Sequence, residues 1–546
     1  MAATPLLGFL WRWSFKNIPP RSVVGYLAVW AFWIPVVSAY LFRQSASLGI
    51  VYGPAVIGFL SCHGIVIPAA YAAAEALEEL HLEDRVGSYA APLLLALLGD
   101  FHVVAFEKFF HTLLPGLQTL TGVFTPVKSQ ALIASSLSYL SHSKLALLGI
   151  PALIHTFSAN PHFDSARTLN TLNNSLLEHN WSIIARQWSS TGYISILDNL
   201  DSGFRIMRAD HSLLGGEWRI NDQRREKEGW LVNEPIYAVF EMLEAVRLVP
   251  TEPPILDAEA QALIIGLGIG TAPKAFLAHG INTTVIELDP AVHEYAVKYF
   301  DLPTNHTPII QDAVSAVAKL ASSTTTSASD TDSLTHPPRP EKQYDYIIHD
   351  VFTGGAEPLA LFTHSFLLNL RALLKPHALI AINYAGSPDS PLTIKVLRTI
   401  RATFGPSCRA FRDSPPTAEG ETGEEGEEED IMSTFANMVI FCRSSAALPQ
   451  PISFREPTEA DFLGRKSARQ YLLPREGYEV VMPRVVTEEE NERGGAGEGG
   501  VDEVEDEGSL LVDSELGEWT TQQTQSAIRH WRIMRRVLPD VVWELW

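Results

Sequence analysis

Ala262 to Gly270 reads ALIIGLGIG, a short apolar run closing in three alternate glycines, with a helix-compatible stretch from Thr271 to His279 behind it. The run predicts a buried strand and the glycines a sharp turn, because a residue without Cβ lets the backbone approach a ligand that a side chain would block. Such a loop serves a nucleoside cofactor, a dinucleotide, or merely a tight turn. The residues that follow narrow the choice. Thr284 to Leu288 forms a second apolar run before Asp289 and Pro290, which puts Glu287 at a strand end 21 residues beyond Gly266. A carboxylate at that place can accept both hydroxyls of a ribose. Ile309 and Ile310 lead into Asp312 and Ala313, and Tyr344 to His349 leads into Asp350. Four strand ends in chain order close in Gly or an acid, and in an open parallel sheet such ends converge on one crevice. The alternative for each acid is that it caps the following helix.

Outward from this stretch the chain changes character several times. Val23 to Phe42 is 20 residues without a charge and Leu48 to Ala74 is 27, each long enough to cross a hydrocarbon core. Tyr89 to Phe106 and Gln130 to Ile154 are weaker candidates, interrupted by Asp100, His102, His142 and Lys144, so two to four spans are expected. Arg12, Lys16 and Arg21 precede the first span and Arg43 alone follows it, which orients the N-terminus to the cytosol. With an even number of spans the catalytic part returns there, giving a multi-pass membrane protein with a cytosolic catalytic domain. Residues 1–155 are thus a helical transmembrane region, and 156–190 are connecting helices. Residues 191–250 form a small β-rich module, since Tyr193 to Leu197 and Phe204 to Met207 flank turn-forming Asp198, Asn199, Asp201 and Gly203. A helix is expected over Glu234 to Arg247. Residues 251–445 alternate strand and helix, with Ser/Thr/Pro-rich 322–342 and acidic 413–430 read as disordered inserts. Residues 446–546 are a C-terminal extension, with an acidic linker over 487–508 and a terminal helix near Gln523 to Leu538.

Charge excludes little about the small-molecule substrate. The formal net charge is −22, but Asp413–Asp430 and Glu488–Glu507 carry −18 of it, so the remainder is close to neutral and nucleic acid is a poor partner. The three cysteines, Cys62, Cys408 and Cys442, have neither metal-ligand spacing nor an even count. They predict a reducing compartment, no disulfide and no structural zinc. His349, beside Asp350 on a strand, faces the other way and is expected to pack between sheet and helix.

The chain resembles the polyamine aminopropyltransferases, the spermidine and spermine synthases, from about Tyr193 to Arg443. The resemblance lies in DHSLLGG (Asp210–Gly216), NEPIY (Asn233–Tyr237), the glycine loop, IELDP (Ile286–Pro290), QDA (Gln311–Ala313) and YDYIIHD (Tyr344–Asp350). DVFTGGAEP (Asp350–Pro358) with LFT (Leu361–Thr363) is similar to the membrane-fused branch. The fold implied is α/β: a Rossmann-like domain binding S-adenosylmethionine, with a small β-rich N-terminal module and a helical transmembrane region before it. By that resemblance Gly266, Gly268, Gly270, Glu287, Asp312 and Ala313 bind S-adenosylmethionine or its decarboxylated form. Glu287 would hold the ribose and Asp312 the adenine amino group, Asp350 would be the catalytic base, and Tyr237 would line the substrate entrance. The activity implied is aminopropyl transfer to a small amine in polyamine biosynthesis, in a membrane-anchored transferase compatible with a homo-oligomer. The alternatives are an S-adenosylmethionine-dependent methyltransferase and a non-catalytic membrane protein retaining the fold. The chain departs from the family at Ile269, where an Asp usually holds the cofactor's amine, at Ala238 and Val239, which replace a His and a Glu, and at Thr353, which replaces a second acid. Burying a polycation without paired carboxylates is costly.

Overall fold

The computed structural model describes residues 20–78, 84, 87, 108, 125–237, 239–323, 340, 342–351, 358–415, 435–444, 451–484 and 510–545. They fall into two compact units, Met1–Tyr193 with Leu538–Trp546, and Ile194–Val537. The 89–106 segment, most of both inserts, the acidic linker, Ala238 and Thr353 lie outside the described residues.

The first unit is mainly helical. Pro20–Phe42 is one helix, and Ser45–Gly58 continues through a π turn at Phe59–His63 into Gly64–Glu78. Within these, Val23–Phe42 and Ser45–Ala72 are long and apolar enough to cross a membrane, by length and composition. The second bends at Gly49, whose φ of 65° is left-handed. Gln130–Ile154 is not a continuous helix, contrary to expectation. Pro126–Ser141 stops where His142 adopts φ 48°, a 3₁₀ segment Lys144–Gly149 follows, and a separate helix runs over Ile150–Ser158. The break follows from Ser143, whose side chain accepts the N–H of Leu145 and starts a new helix there. Ala31, Phe32, Ala134 and Ala152 form one buried cluster of the unit, while Tyr26, Tyr40, Tyr52, Phe59 and Tyr139 are exposed. After helix Ala166–Leu177 comes strand β1 (Trp181–Ser189).

The second unit opens with an antiparallel meander of β2 (Gly192–Asn199), β3 (Phe204–Ala209), β4 (Ser212–Trp218) and β5 (Glu234–Pro235). The helix expected over Glu234–Arg247 is shorter, Val239–Met242, and tightens into a 3₁₀ turn over Leu243–Leu248. Glu234 stays extended because its two carboxylate oxygens accept the backbone N–H groups of Lys466 and Ser467 at 2.8 and 2.9 Å.

Strand and helix then alternate. The strands are β6 (Gln261–Ile265), β7 (Asn282–Glu287), β8 (Thr307–Ile310), β9 (Tyr344–His349), β10 (Leu374–Gly386), β11 (Arg409–Arg412), β12 (Ala436–Arg443) and β13 (Glu479–Val480). The sheet order is β13-β11-β12-β10-β9-β6-β7-β8, with β8, β7, β6, β9 and β10 parallel and β11 to β13 running antiparallel at one side. The chain order reverses at β6, between β7 and β9, which is the switch point at which doubly wound sheets bind ligands. Both faces are covered, so the central strands read as unbroken apolar runs rather than alternating ones. Leu263, Ile265, Ile347, Ile380 and Ile382 meet Phe366 and Leu367 of helix His364–Leu373 and Val396 and Ile400 of helix Pro391–Phe404. Tyr346, of opposite parity, meets Phe276 of helix Thr271–Ala278. Each fully buried aliphatic or Phe side chain contributes roughly 1.5–3 kcal/mol through lost water contact.

Cys408 and Cys442 form a disulfide, against the expectation of none. The register of β11 on β12 pairs Arg409 with Phe441, which sets Cys408 directly opposite Cys442 with Cα atoms 4.3 Å apart. A 34-residue separation in sequence gives no hint of that pairing, and with it the argument from cysteine usage to a reducing compartment lapses.

Candidate active site

The glycine loop is shaped by what the protein's own backbone brings against it. Gly266 has φ 87° and donates its N–H to Ile286 O at 2.9 Å, and a Cβ there would overlap the carbonyl oxygen of Asp350. Gly268 has φ 52°, and its Cβ would stand 2.6 Å from Leu214 O on β4. Gly270 precedes helix Thr271–Ala278 as its cap. The loop is therefore wedged between the exit of β9 and the β-rich module.

Glu287, the last residue of β7, is half-buried and faces this loop. Its carboxylate accepts the N–H of Leu267 at 3.1 Å and that of Asp289 at 2.8 Å. Burial pushes the carboxyl up to about 7, against the opposing pull of those backbone N–H groups. The capping role falls to its neighbour: buried Asp289 accepts the N–H of Ala291 at 2.8 Å and opens helix Pro290–Tyr299. At the next strand end the capping alternative is realised in a predicted site residue. Asp312 is exposed and accepts the N–H of Ser315 at 2.9 Å, opening helix Ala313–Ser322, while Ala313 packs partly onto the core. Gln311 N–H donates to Glu287 O at 2.9 Å, so the β7 and β8 ends stand side by side.

Asp350 follows β9, held by its N–H to Ile265 O at 2.8 Å. Its Oδ1 accepts from Asn383 Nδ2 at 2.8 Å, and burial pushes its carboxyl up to about 6, with the Asn383 bond acting to lower it. Asn383 is a site residue that sequence reasoning missed. It lies on β10, one residue beyond the Ile382–His349 pair, and is 8% exposed. The signal was present as a single amide inside the apolar run ALIAINYAG (Ala378–Gly386).

Other predicted residues fall further out. Tyr237 is half-buried beyond β5, with its hydroxyl 4.0 Å from Met534 Sδ and its ring edge-on to Phe240; burial raises its phenol above the usual range. It is linked to the glycine loop through β4, since Ile236 N–H donates to Gly216 O and neighbouring Gly215 packs on Ile269. Ile269 is buried there, and Val239 is buried as well. His349 is fully buried, edge-on to Phe362 and Phe366, and burial lowers its imidazole to about 4, as expected for a side chain between sheet and helix.

The strand ends thus present acceptors in a row: Asp312, Glu287, Asp350 and Asn383. A nucleoside offers hydrogen-bond donors, two ribose hydroxyls and an adenine amino group, and an acceptor-rich edge matched to a glycine loop fits it. No family model matches the chain. It is 41% identical over 541 residues, 98% of this chain and 89% of the other, to an N-terminal histidine N-methyltransferase of Emericella nidulans. A polyamine aminopropyltransferase of Vibrio vulnificus is 27% identical over 145 residues, 26% of this chain and 43% of that protein. Among solved structures, a probable spermidine synthase from Corynebacterium glutamicum superposes with a TM-score of 0.35 at 13% identity, over 52% of this chain and 94% of that one. Human methyltransferase-like protein 13 in complex with SAH gives 0.27 at 21% identity, over 43% and 91%. The protein is a transferase and uses S-adenosylmethionine. The aminopropyl reading of the sequence is corrected: identity to the aminopropyltransferase is confined to about a quarter of the chain, whereas identity to the methyltransferase runs through nearly all of it.

Proposed function

We propose, since the chain belongs to the family of the N-terminal histidine N-methyltransferase, that this protein transfers a methyl group from S-adenosylmethionine to a nitrogen of an N-terminal histidine in a polypeptide. The observation that carries this reading is 41% identity spanning both units of the chain rather than the cofactor domain alone. The site is compatible with it. Glu287 would hold the ribose hydroxyls and Asp312 the adenine amino group, beside the turn made by Gly266, Gly268 and Gly270. Bound at the loop, the cofactor supplies a methyl carbon on a sulfonium. Asp350 would accept the proton that the acceptor group gives up, from the attacking nitrogen of an amine or from the opposite ring nitrogen of an imidazole, as the new bond to that carbon forms and the carbon–sulfur bond breaks. One positioned carboxylate suffices for this work. Ile269, buried against Gly215, leaves no acid in the loop to grip a second cation, which suits a histidine better than a diamine.

The first unit attaches the enzyme to a membrane in this reading. Two helices of 20 and 28 residues support it, the second with only 6% of its apolar stretch buried.

The test uses the full chain in detergent with S-adenosylmethionine and four acceptors: a peptide beginning with histidine, the same peptide N-acetylated, one with histidine second, and putrescine. A methyl increment on the first alone is expected. Equal methylation of the acetylated or internal histidine, or none on any peptide, would overturn the reading.

A further inference from the structure

Asn383 is bound on one side only. Its Nδ2 donates to Asp350 Oδ1 at 2.8 Å, whereas its Oδ1 is buried and has no hydrogen-bond partner among the described residues. Asn383 lies on a central strand, with β9 on one side and β12 on the other, and the paired residues there hold it in register. Buried polar atoms in native folds are paired as a rule, so an orphaned acceptor at a ligand crevice marks a place where a donor arrives. The amide cannot simply reverse, because its carbonyl would then face the Asp350 carboxylate. Its position also assigns the donor. From Glu287 on β7, the sheet order passes β6 and β9 before reaching β10. Three strand spacings amount to roughly 14 Å, which separates Asn383 from the ribose end of the site.

We infer that Asn383 is a substrate-binding residue, whose Oδ1 accepts an N–H of the nitrogen-bearing group being methylated while its Nδ2 fixes the Asp350 carboxylate. The inference rests on the methyltransferase reading above and adds to it the recognition of the acceptor. The two side chains present acceptors next to each other. An imidazole that attacks through one ring nitrogen carries its N–H on the other, and a terminal amine carries its hydrogens beside its lone pair, so either group of an N-terminal histidine can satisfy Asn383 Oδ1. The same amide acts on Asp350, since its N–H stabilises the ionised carboxylate.

The experiment compares wild type with Asn383→Ala and Asn383→Asp in the full chain, using the histidine-initiated peptide and S-adenosylmethionine. Asn383→Ala should raise the peptide KM or lower kcat/KM by roughly tenfold or more, the loss of a hydrogen bond to a reacting group, with cofactor Kd within about twofold. It should also move the acid limb of the pH profile to higher pH, because Asp350 loses the donor that holds its carboxyl down. Asn383→Asp, nearly isosteric and so a control for folding, should move that limb further by placing a second carboxylate beside Asp350. A weakened cofactor Kd with unchanged peptide kinetics would overturn the inference and give the amide to the cofactor. An unmoved acid limb with unchanged KM would overturn it too. Should wild type methylate a different nitrogen acceptor, the histidine reading falls and the same comparison, run on that acceptor, still decides the role of Asn383. If wild type methylates none in a panel of peptides and amines, both readings fall.

Discussion

Glu287→Gln separates the two tasks of the carboxylate at the end of β7. The native side chain accepts Leu267 N–H at 3.1 Å with one oxygen and Asp289 N–H at 2.8 Å with the other. A glutamine has one acceptor, so its NH2 must face one of those N–H groups, leaving a donor unpaired at about 1–3 kcal/mol. It also replaces the proposed charge-assisted bonds to the ribose hydroxyls, each worth roughly 1.5–3 kcal/mol, so that losing one should weaken cofactor Kd about ten- to hundredfold. A pH signature accompanies the change. Burial raises the carboxyl from 4.5 to about 7, so the free enzyme holds a proton that must leave for both hydroxyls to be accepted. Wild-type affinity should therefore weaken as pH falls through about 7, whereas the variant's should be flat. The sign for stability is opposite. The folded state keeps a proton that the unfolded chain loses above 4.5, so this group's contribution declines as pH rises from 4.5 to about 7 and is constant beyond. Calorimetric titration with S-adenosylhomocysteine on both sides of neutrality measures the first effect. Equal affinity and equal pH dependence in wild type and Glu287→Gln, with matching thermal melts, would refute the assignment of the ribose to this residue.

Asp350→Asn should keep cofactor Kd within a few fold and cut turnover by roughly 10² to 10⁴, abolishing an acid limb near the pH of about 6 set by burial of the wild-type carboxyl; comparable rates under single-turnover conditions would remove it from the chemistry. Gly268→Ala puts a Cβ 2.6 Å from Leu214 O at a φ of 52°, so a loss of about 1–3 kcal/mol and weaker cofactor binding are expected; an unchanged melting temperature would show that β4 yields easily. Glu241 is fully buried, and its carboxyl is pushed up to about 8 by burial, with Arg465 pulling it down and Glu244 pushing it up. Its contribution to stability should fall as pH rises from 4.5 to about 8, and Glu241→Gln should abolish that decline; parallel urea curves for both proteins across this window would contradict the assignment. Asn383→Ala and Asn383→Asp test acceptor binding as set out above.

What the sequence displayed of the fold is what local chemistry dictates. ALIIG, TVIEL and YDYIIH are apolar runs ended by glycine or acid, so their type and order are legible without tertiary information. The antiparallel strands β11 and β12 are separated by an acidic stretch, and their pairing, like the Cys408–Cys442 bond that depends on it, is fixed by register rather than composition. The stop at Ser141 falls in the polar stretch Ser141–Lys144, which the sequence shows as an interruption of the apolar run, but the left-handed conformation of His142 that ends the helix there leaves no mark on hydropathy. Glu234 looked helical by pattern and is extended because partners more than 230 residues away take its carboxylate. Among the site residues, Glu287 and Asp350 announced themselves as the ends of strands. Asn383 needed the neighbour relation between β9 and β10, which only the folded sheet supplies.

The correction from aminopropyl to methyl transfer shows which residues report which half of a transferase. In the proposed assignment the glycine loop, Glu287 and Asp312 meet the nucleoside, and a nucleoside asks for the same acceptors whatever group its sulfonium gives away. Motifs built from these residues therefore cannot separate two transferases that share the cofactor scaffold. The group accepting the transfer is reported by positions where the chain departs from the aminopropyltransferase pattern, and there the structure is informative. Ile269 is 3% exposed and sits against Gly215, where an added Cβ would stand only 3.1 Å from its Cγ1. Exchanging it for an acid would bury a charge in an apolar contact, which costs several kcal/mol. Val239 is buried likewise. These two side chains are packed into the fold, so polyamine recognition could not be restored by one substitution in the loop. An engineered Ile269→Asp should lose stability and gain no activity toward putrescine, whereas in the proposed reading methylation of a histidine-initiated peptide depends on the pair at the other side of the crevice, Asp350 and Asn383.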